Sequence, residues 1–118
     1  MYRARIIRGD TSYLDLEVTL PPAATPVDLT GSMLWFVAKR SPESAAEITK
    51  TSEVGGGIIL TEPDQGRARI TLDPADTSDF EERTTRLVYD VQLRTPTGAI
   101  YTIAQGQLLV VMDYALAV

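Results

Sequence analysis

Polar and apolar positions alternate along much of this chain. In Leu14-Asp15-Leu16-Glu17-Val18-Thr19-Leu20 the apolar residues fall at 14, 16, 18 and 20. A period of two turns one side of a strand toward a core and the other toward water. The pattern returns at Ala68, Ile70 and Leu72, and again at Tyr89, Val91 and Leu93. The punctuation between these runs predicts the elements. A first strand covers 2–8 and ends at the Gly9-Asp10 turn, and a second covers 12–20. The proline-rich stretch 21–26 reads as an edge loop, because proline has no N–H to give a central ladder. A strand over 32–39 carries Leu34-Trp35-Phe36-Val37, apolar on both faces, which predicts a central or covered position.

The second half follows the same logic. Ser41-Pro42 opens a loop over 41–46 with room for one helical turn. Strands at 48–51 and 58–61 flank Gly55-Gly56-Gly57, and 62–66 is a tight connection from which 67–72 pairs back. Asp73-Pro74 is an N-cap followed by proline, the start of one short helix. Strands at 87–94 and 99–104 flank a hairpin turn over 95–98, Gly106 marks a bulge, and 107–114 forms the last strand. Eight or nine short strands with frequent turn signals describe an all-β sandwich or barrel, here one domain over 1–118.

Composition narrows the chemistry. With 118 residues, 44 % of them hydrophobic, the chain can bury one modest core. Its formal charge of −5 opposes phosphate backbones and anionic bilayers, so neither nucleic acid nor membrane is expected as a partner. Histidine and cysteine are absent, which removes imidazole and thiolate metal sites and the Ser-His-Asp and Cys-His triads. No run of eighteen apolar residues is present, and Met1-Tyr2-Arg3-Ala4-Arg5-Ile6-Ile7 is too short for a signal peptide. An unprocessed start in a cytoplasm is the expectation.

Carboxylate chemistry survives these exclusions, with Asp73, Asp76, Asp79, Glu81 and Glu82 as candidates for glycoside hydrolysis or calcium binding. They lie on and after the predicted helix, where acids cap the N-terminus and face water, and the EF-hand spacing is missing. The expectation is no catalytic residue, no metal and no cofactor. Arg8-Gly9-Asp10 spells an adhesion tripeptide, but it sits where a strand must turn. Gly55-Gly56-Gly57 precedes Ile58-Ile59-Leu60, a strand rather than the helix a phosphate cradle needs. Trp35 and Phe36 are adjacent, so one faces the core; the other packs under 21–26 or reaches an interface. The tail Tyr114-Ala115-Leu116-Ala117-Val118 is apolar and either packs on its own domain or docks on a neighbour.

The order of motifs adds a resemblance. Arg8-Gly9-Asp10-Thr11 is followed by Pro26-Val27-Asp28-Leu29-Thr30-Gly31, Phe36-Val37-Ala38-Lys39 and Gly57-Ile58-Ile59-Leu60-Thr61. Then come Asp64-Gln65-Gly66-Arg67-Ala68-Arg69-Ile70-Thr71-Leu72, Tyr89-Asp90-Val91-Gln92-Leu93 and Gly98-Ala99-Ile100-Tyr101-Thr102. Over roughly 6–113 the chain resembles structural proteins of tailed phages and prophages, and is similar to the N-terminal immunoglobulin-like domain of upper baseplate proteins. Asp28-Leu29-Thr30-Gly31 supplies a capped turn, and Asp90, facing away from Tyr89 and Val91, is expected to cap a neighbouring loop.

The resemblance implies an immunoglobulin-like antiparallel β-sandwich that builds a tail, baseplate or head and carries no catalytic residues. Partners would be other virion structural proteins and further copies of the chain, in a virion assembled in the host cytoplasm. Upper baseplate proteins continue into receptor-binding regions, whereas this sequence stops at Val118, so a stand-alone adaptor or decoration protein is expected. The expected contact residues are Tyr2, Arg3, Arg5 and Ile7 on the first strand, Trp35, and Tyr114, Leu116 and Val118 in the tail. The alternative is a carbohydrate- or receptor-binding module for host adhesion, with Trp35, Tyr13, Tyr101 and Tyr114 as its only possible aromatic platform.

Overall fold

The alternating segments become strands in a computed structural model that describes residues 2–20 and 22–113, with side chains from Ala4 onward. Ten strands run in the order β1 (Tyr2–Ile7), β2 (Ser12–Glu17), β3 (Thr19–Leu20), β4 (Thr25–Pro26), β5 (Met33–Lys39), β6 (Ala46–Thr51), β7 (Ile58–Glu62), β8 (Arg67–Leu72), β9 (Thr84–Arg94) and β10 (Ile100–Val111). A single-turn helix, α1 (Pro74–Thr77), lies between β8 and β9, and a 3₁₀ turn at Pro63–Gln65 joins β7 to β8. Five strands form one sheet in the order β1-β10-β9-β5-β6, three form another in the order β2-β8-β7, and β3-β4 make a small hairpin. Every strand pair is antiparallel except β1 with β10, which is parallel.

The core explains why the sequence alternates. Leu34, Phe36 and Ala38 of β5 point inward, as do Leu87, Tyr89, Val91 and Leu93 of β9 and Leu108 and Val110 of β10. They meet Ile58 of β7 and Ala68, Ile70 and Leu72 of β8 in one continuous cluster. The chain is thus an all-β sandwich: each sheet has an apolar side that water would penalise, and each covers the other. β5 is central, as its apolar run predicts.

Four details differ from the expected elements. The strand expected over 12–20 breaks at Val18, whose N–H donates to Gly66 O (2.8 Å) and whose carbonyl accepts from Val27 N–H (3.0 Å). Part of 21–26 is not loop: Thr25–Pro26 pairs with Thr19–Leu20, and a two-residue exposed ladder tolerates a proline that a long one would not. The two strands expected at 99–104 and 107–114 are one, β10. Its bulge falls between Thr102 and Ala104, while Gly106 stays in register opposite Tyr89. A bulge needs one extra residue on one strand, not a glycine. Finally, 41–46 makes a turn without a helix, closed by Ser44 N–H donating to Ser41 O (3.0 Å) and by a contact of the two hydroxyls (2.7 Å).

One ion pair ties the start of the fold to its far end. Arg8 meets Asp113 at 2.7 Å, with side chains only 14 % and 20 % exposed, and also donates to Phe80 O (2.8 Å). The hydrogen bond from Arg8 holds the Asp113 carboxyl below its ordinary value of 3.8. A depressed carboxyl stabilises the fold above the ordinary carboxylate range and loses that contribution as pH falls through its folded value. Asp113→Asn is therefore expected to lower the urea midpoint near neutral pH, with the difference from the unsubstituted chain closing below about pH 3. Equal gaps at both pH values would mean the charge on Asp113 contributes nothing.

Candidate functional site

The two outer faces of the sandwich differ in chemistry. On the three-stranded sheet, Asp15 of β2 lies directly opposite Arg69 of β8, and the two pair at 2.8 Å. Arg67 pairs with Glu62 at 2.9 Å, and the Arg69 guanidinium sits 4.9 Å from the centre of the Tyr13 ring. The bond from Arg69 holds the Asp15 carboxyl below its usual range. These charges satisfy one another across the strands, which makes a solvated face.

On the five-stranded sheet the outward positions run differently. Phe36 turns into the core and packs on Tyr89 with ring centres 5.4 Å apart. Its neighbour Trp35 therefore faces outward, half-buried. Strand register sets the row: Trp35 stands beside Gln92, and Gln92 beside Thr102. In the next row Val37 stands beside Asp90, and Asp90 beside Gln105. The β10 bulge falls between these rows on that strand and increases its local bend. The result is a shallow depression of about 440 Å³ lined by Trp35, Val37, Lys39, Pro42, Val88, Asp90, Gln92 and Gln105. Among the described residues, the side chains of Lys39, Asp90, Gln92 and Gln105 make no hydrogen bond or ion pair. Asp90 thus caps no loop among the described residues, contrary to expectation: its register sets it in mid-strand between Val37 and Gln105. Pro42 lines the depression together with Trp35, and no residue of 22–26 does.

The sheet's β1 edge is the other feature of note. Arg8 N–H donates to Val111 O (2.8 Å), continuing the ladder of β1 on β10. Alternation then turns the backbone groups of Arg3 and Arg5 away from β10, and among the described residues no strand pairs on that side. Arg5 is exposed, and Ile7 is 36 % exposed beside Val111 on the outer face. The backbones of Tyr2 and Arg3 belong to β1, while their side chains lie outside the described residues, as do Tyr114, Leu116 and Val118.

The remaining candidates resolve into structure. Asp76 pairs with Lys50 at 2.8 Å, Asp73 with the same ammonium at 3.5 Å, and Asp73 and Asp76 form the capping box of α1. Glu82 accepts from Arg40 (3.0 Å) and from Thr85 Oγ1 (2.7 Å), and these bonds hold its carboxyl below the usual range. Asp79 and Glu81 are exposed. Among the described residues no group of three acidic side chains could hold a metal ion, and no helix is long and apolar enough to cross a membrane. In the Arg8-Gly9-Asp10 turn, Arg8 is committed to Asp113, Gly9 has φ of +78° and its N–H donates to Thr77 Oγ1 (2.8 Å). The tripeptide is a turn whose arginine is tied into the fold, with only Asp10 exposed. Among the described residues the candidate aromatics do not gather: Tyr13 lies on the three-stranded sheet's outer face, Trp35 on the other, and Tyr101 stands 58 % exposed near the start of β10.

The polar floor of the depression was not among the sequence candidates. Asp90, Gln92 and Gln105 come from two strands, and only their register brings them together. The one signal available was that Asp90 and Gln92 alternate with core residues Tyr89, Val91 and Leu93. No family model matches the chain, and no curated protein matches it either.

Proposed function

We propose that this chain is a non-enzymatic structural protein of a tailed-phage virion, an adaptor or building block that docks on neighbouring subunits of the tail, baseplate or head. The motif order over roughly 6–113 supplies the virion reading, with its immunoglobulin-like sandwich. The observation that carries the docking reading is the open side of β1. An unpaired strand edge is a template for another strand. Its arginines, on a chain of net charge −5, favour an acidic neighbour. Repeated over many copies, modest contacts of this kind hold an assembly firmly.

Arg5→Pro tests this reading. The lost N–H lies on the open side, where proline is tolerated, so the fold is expected to keep its melting temperature within a few degrees. Incorporation into purified particles, read by quantitative mass spectrometry, is expected to fall at least about tenfold, the effect of losing one to two edge hydrogen bonds at each copy. Undiminished incorporation would remove β1 as the docking edge. Absence of the unsubstituted chain from purified particles would remove the virion reading itself.

A further inference from the structure

We infer that the depression on the outer face of the five-stranded sheet is a binding site for a neutral saccharide, with Trp35 as the stacking platform and Asp90, Gln92 and Gln105 as the hydroxyl-binding groups. The inference stands apart from the virion reading, which rests on the motif order, and from the docking reading, which rests on β1. A pyranose ring has an apolar side of C–H groups and a rim of hydroxyls that both donate and accept. Its recognition needs a flat aromatic surface beside groups that accept and donate in pairs. Trp35 offers the first, half-buried and therefore held in place. Asp90 accepts at two oxygens, and Gln92 and Gln105 each both donate and accept.

Placement and free capacity carry the argument further than residue type. Gln92 is the direct cross-strand neighbour of Trp35, and Gln105 of Asp90. Side chains opposite one another on a sheet have Cβ atoms about 5 Å apart, close enough for two of them to reach one sugar ring together. All four polar groups, Lys39 included, keep their hydrogen-bonding capacity unspent among the described residues. The volume of about 440 Å³ falls within the range of small-ligand sites and suits one or two sugar rings. A flat apolar contact would favour a protein partner instead, but a free carboxylate and two free amides at its centre would each lose water without repayment there.

The test uses the chain's single tryptophan, since Trp35 is the only one. Its fluorescence reports on this depression alone. Titration with chitobiose, cellobiose, maltose and lactose to about 50 mM is expected to give a saturable shift for at least one sugar, with a Kd on the order of 1 mM for so open a site. Asp90→Asn and Gln105→Ala keep Trp35 and are each expected to weaken that binding about tenfold. In NMR titrations Trp35→Ala is expected to abolish it and Trp35→Tyr to retain part. Co-sedimentation with cell-envelope polysaccharide separates a surface glycan from a soluble sugar; binding in either arm supports the site. No shift with any sugar or polysaccharide would overturn the inference. So would binding indifferent to Asp90 and Gln105, or a Trp35 signal that moves only with protein concentration, which would mark a contact between copies.

Discussion

Phe36→Ala is expected to lower the unfolding free energy by about 3–5 kcal/mol, the range for removing a fully buried aromatic ring. Phe36 has no exposed surface, sits on central β5 and packs on Tyr89 at 5.4 Å. β9 and β6 flank it on either side, so the surrounding backbone cannot collapse into the space left behind. A domain of this size has only about 5–15 kcal/mol of stability, so the loss takes a large share. It should appear as a fall of about 10–20 °C in the midpoint of a thermal melt followed by circular dichroism. Trp35→Ala, one residue away on the opposite face, is expected to cost about half as much or less, because half-buried apolar area is worth proportionally less. Equal losses at 35 and 36 would mean that β5 is packed on both sides.

The second large effect is at Gly66. Its φ of +71° is a left-handed conformation that costs other residues about 1 kcal/mol. Space is the greater obstacle. A Cβ there would be driven into the Val18 carbonyl oxygen and would reach 3.0 Å from that of Val27. Both are backbone atoms, so no side chain can swing aside. Val18 is also where the chain is stitched, through its N–H to Gly66 and its carbonyl to Val27. Gly66→Ala should break at least one of these bonds, at about 1 kcal/mol each, for a total of about 2–4 kcal/mol in urea unfolding. Gly55→Ala is the control: φ is +78° but nothing lies within 4 Å of the added carbon. It should cost only about 1 kcal/mol. If the two variants melt alike, the close approach at Gly66 is not rigid.

Most of the sandwich was legible because most of its strands have one wet and one dry side. β2, β8 and the end of β9 stand where alternation put them, and Pro63–Gln65 turns where Glu62-Pro63-Asp64-Gln65-Gly66 said it would. What stayed hidden depends on distant partners. Alternation continues through Val18 to Leu20, yet the strand breaks, since residues 27 and 66 claim the Val18 backbone. Nothing local in Thr102-Ile103-Ala104 announces a bulge; the mismatch exists only against β9. The candidate site was legible by half for the same reason. Trp35 or Phe36 had to face outward, but which polar groups would meet it is a matter of cross-strand register between β5, β9 and β10. Arg8 shows the converse. A displayed tripeptide and an inward ion pair are spelled identically until Asp113 is placed beside it.

The parallel pairing of β1 with β10 has a mechanical consequence. Tyr2 lies beside Gly106 and Ile7 beside Val111, so the two strands run the same way with their outer ends at opposite limits of the ladder. Tension applied through Tyr2 and Asp113 would slide one strand along the other. The bridging bonds would then bear the load together instead of opening one at a time like a zipper. Such shear loading makes a module resist stretching along its length far better than peeling from its side.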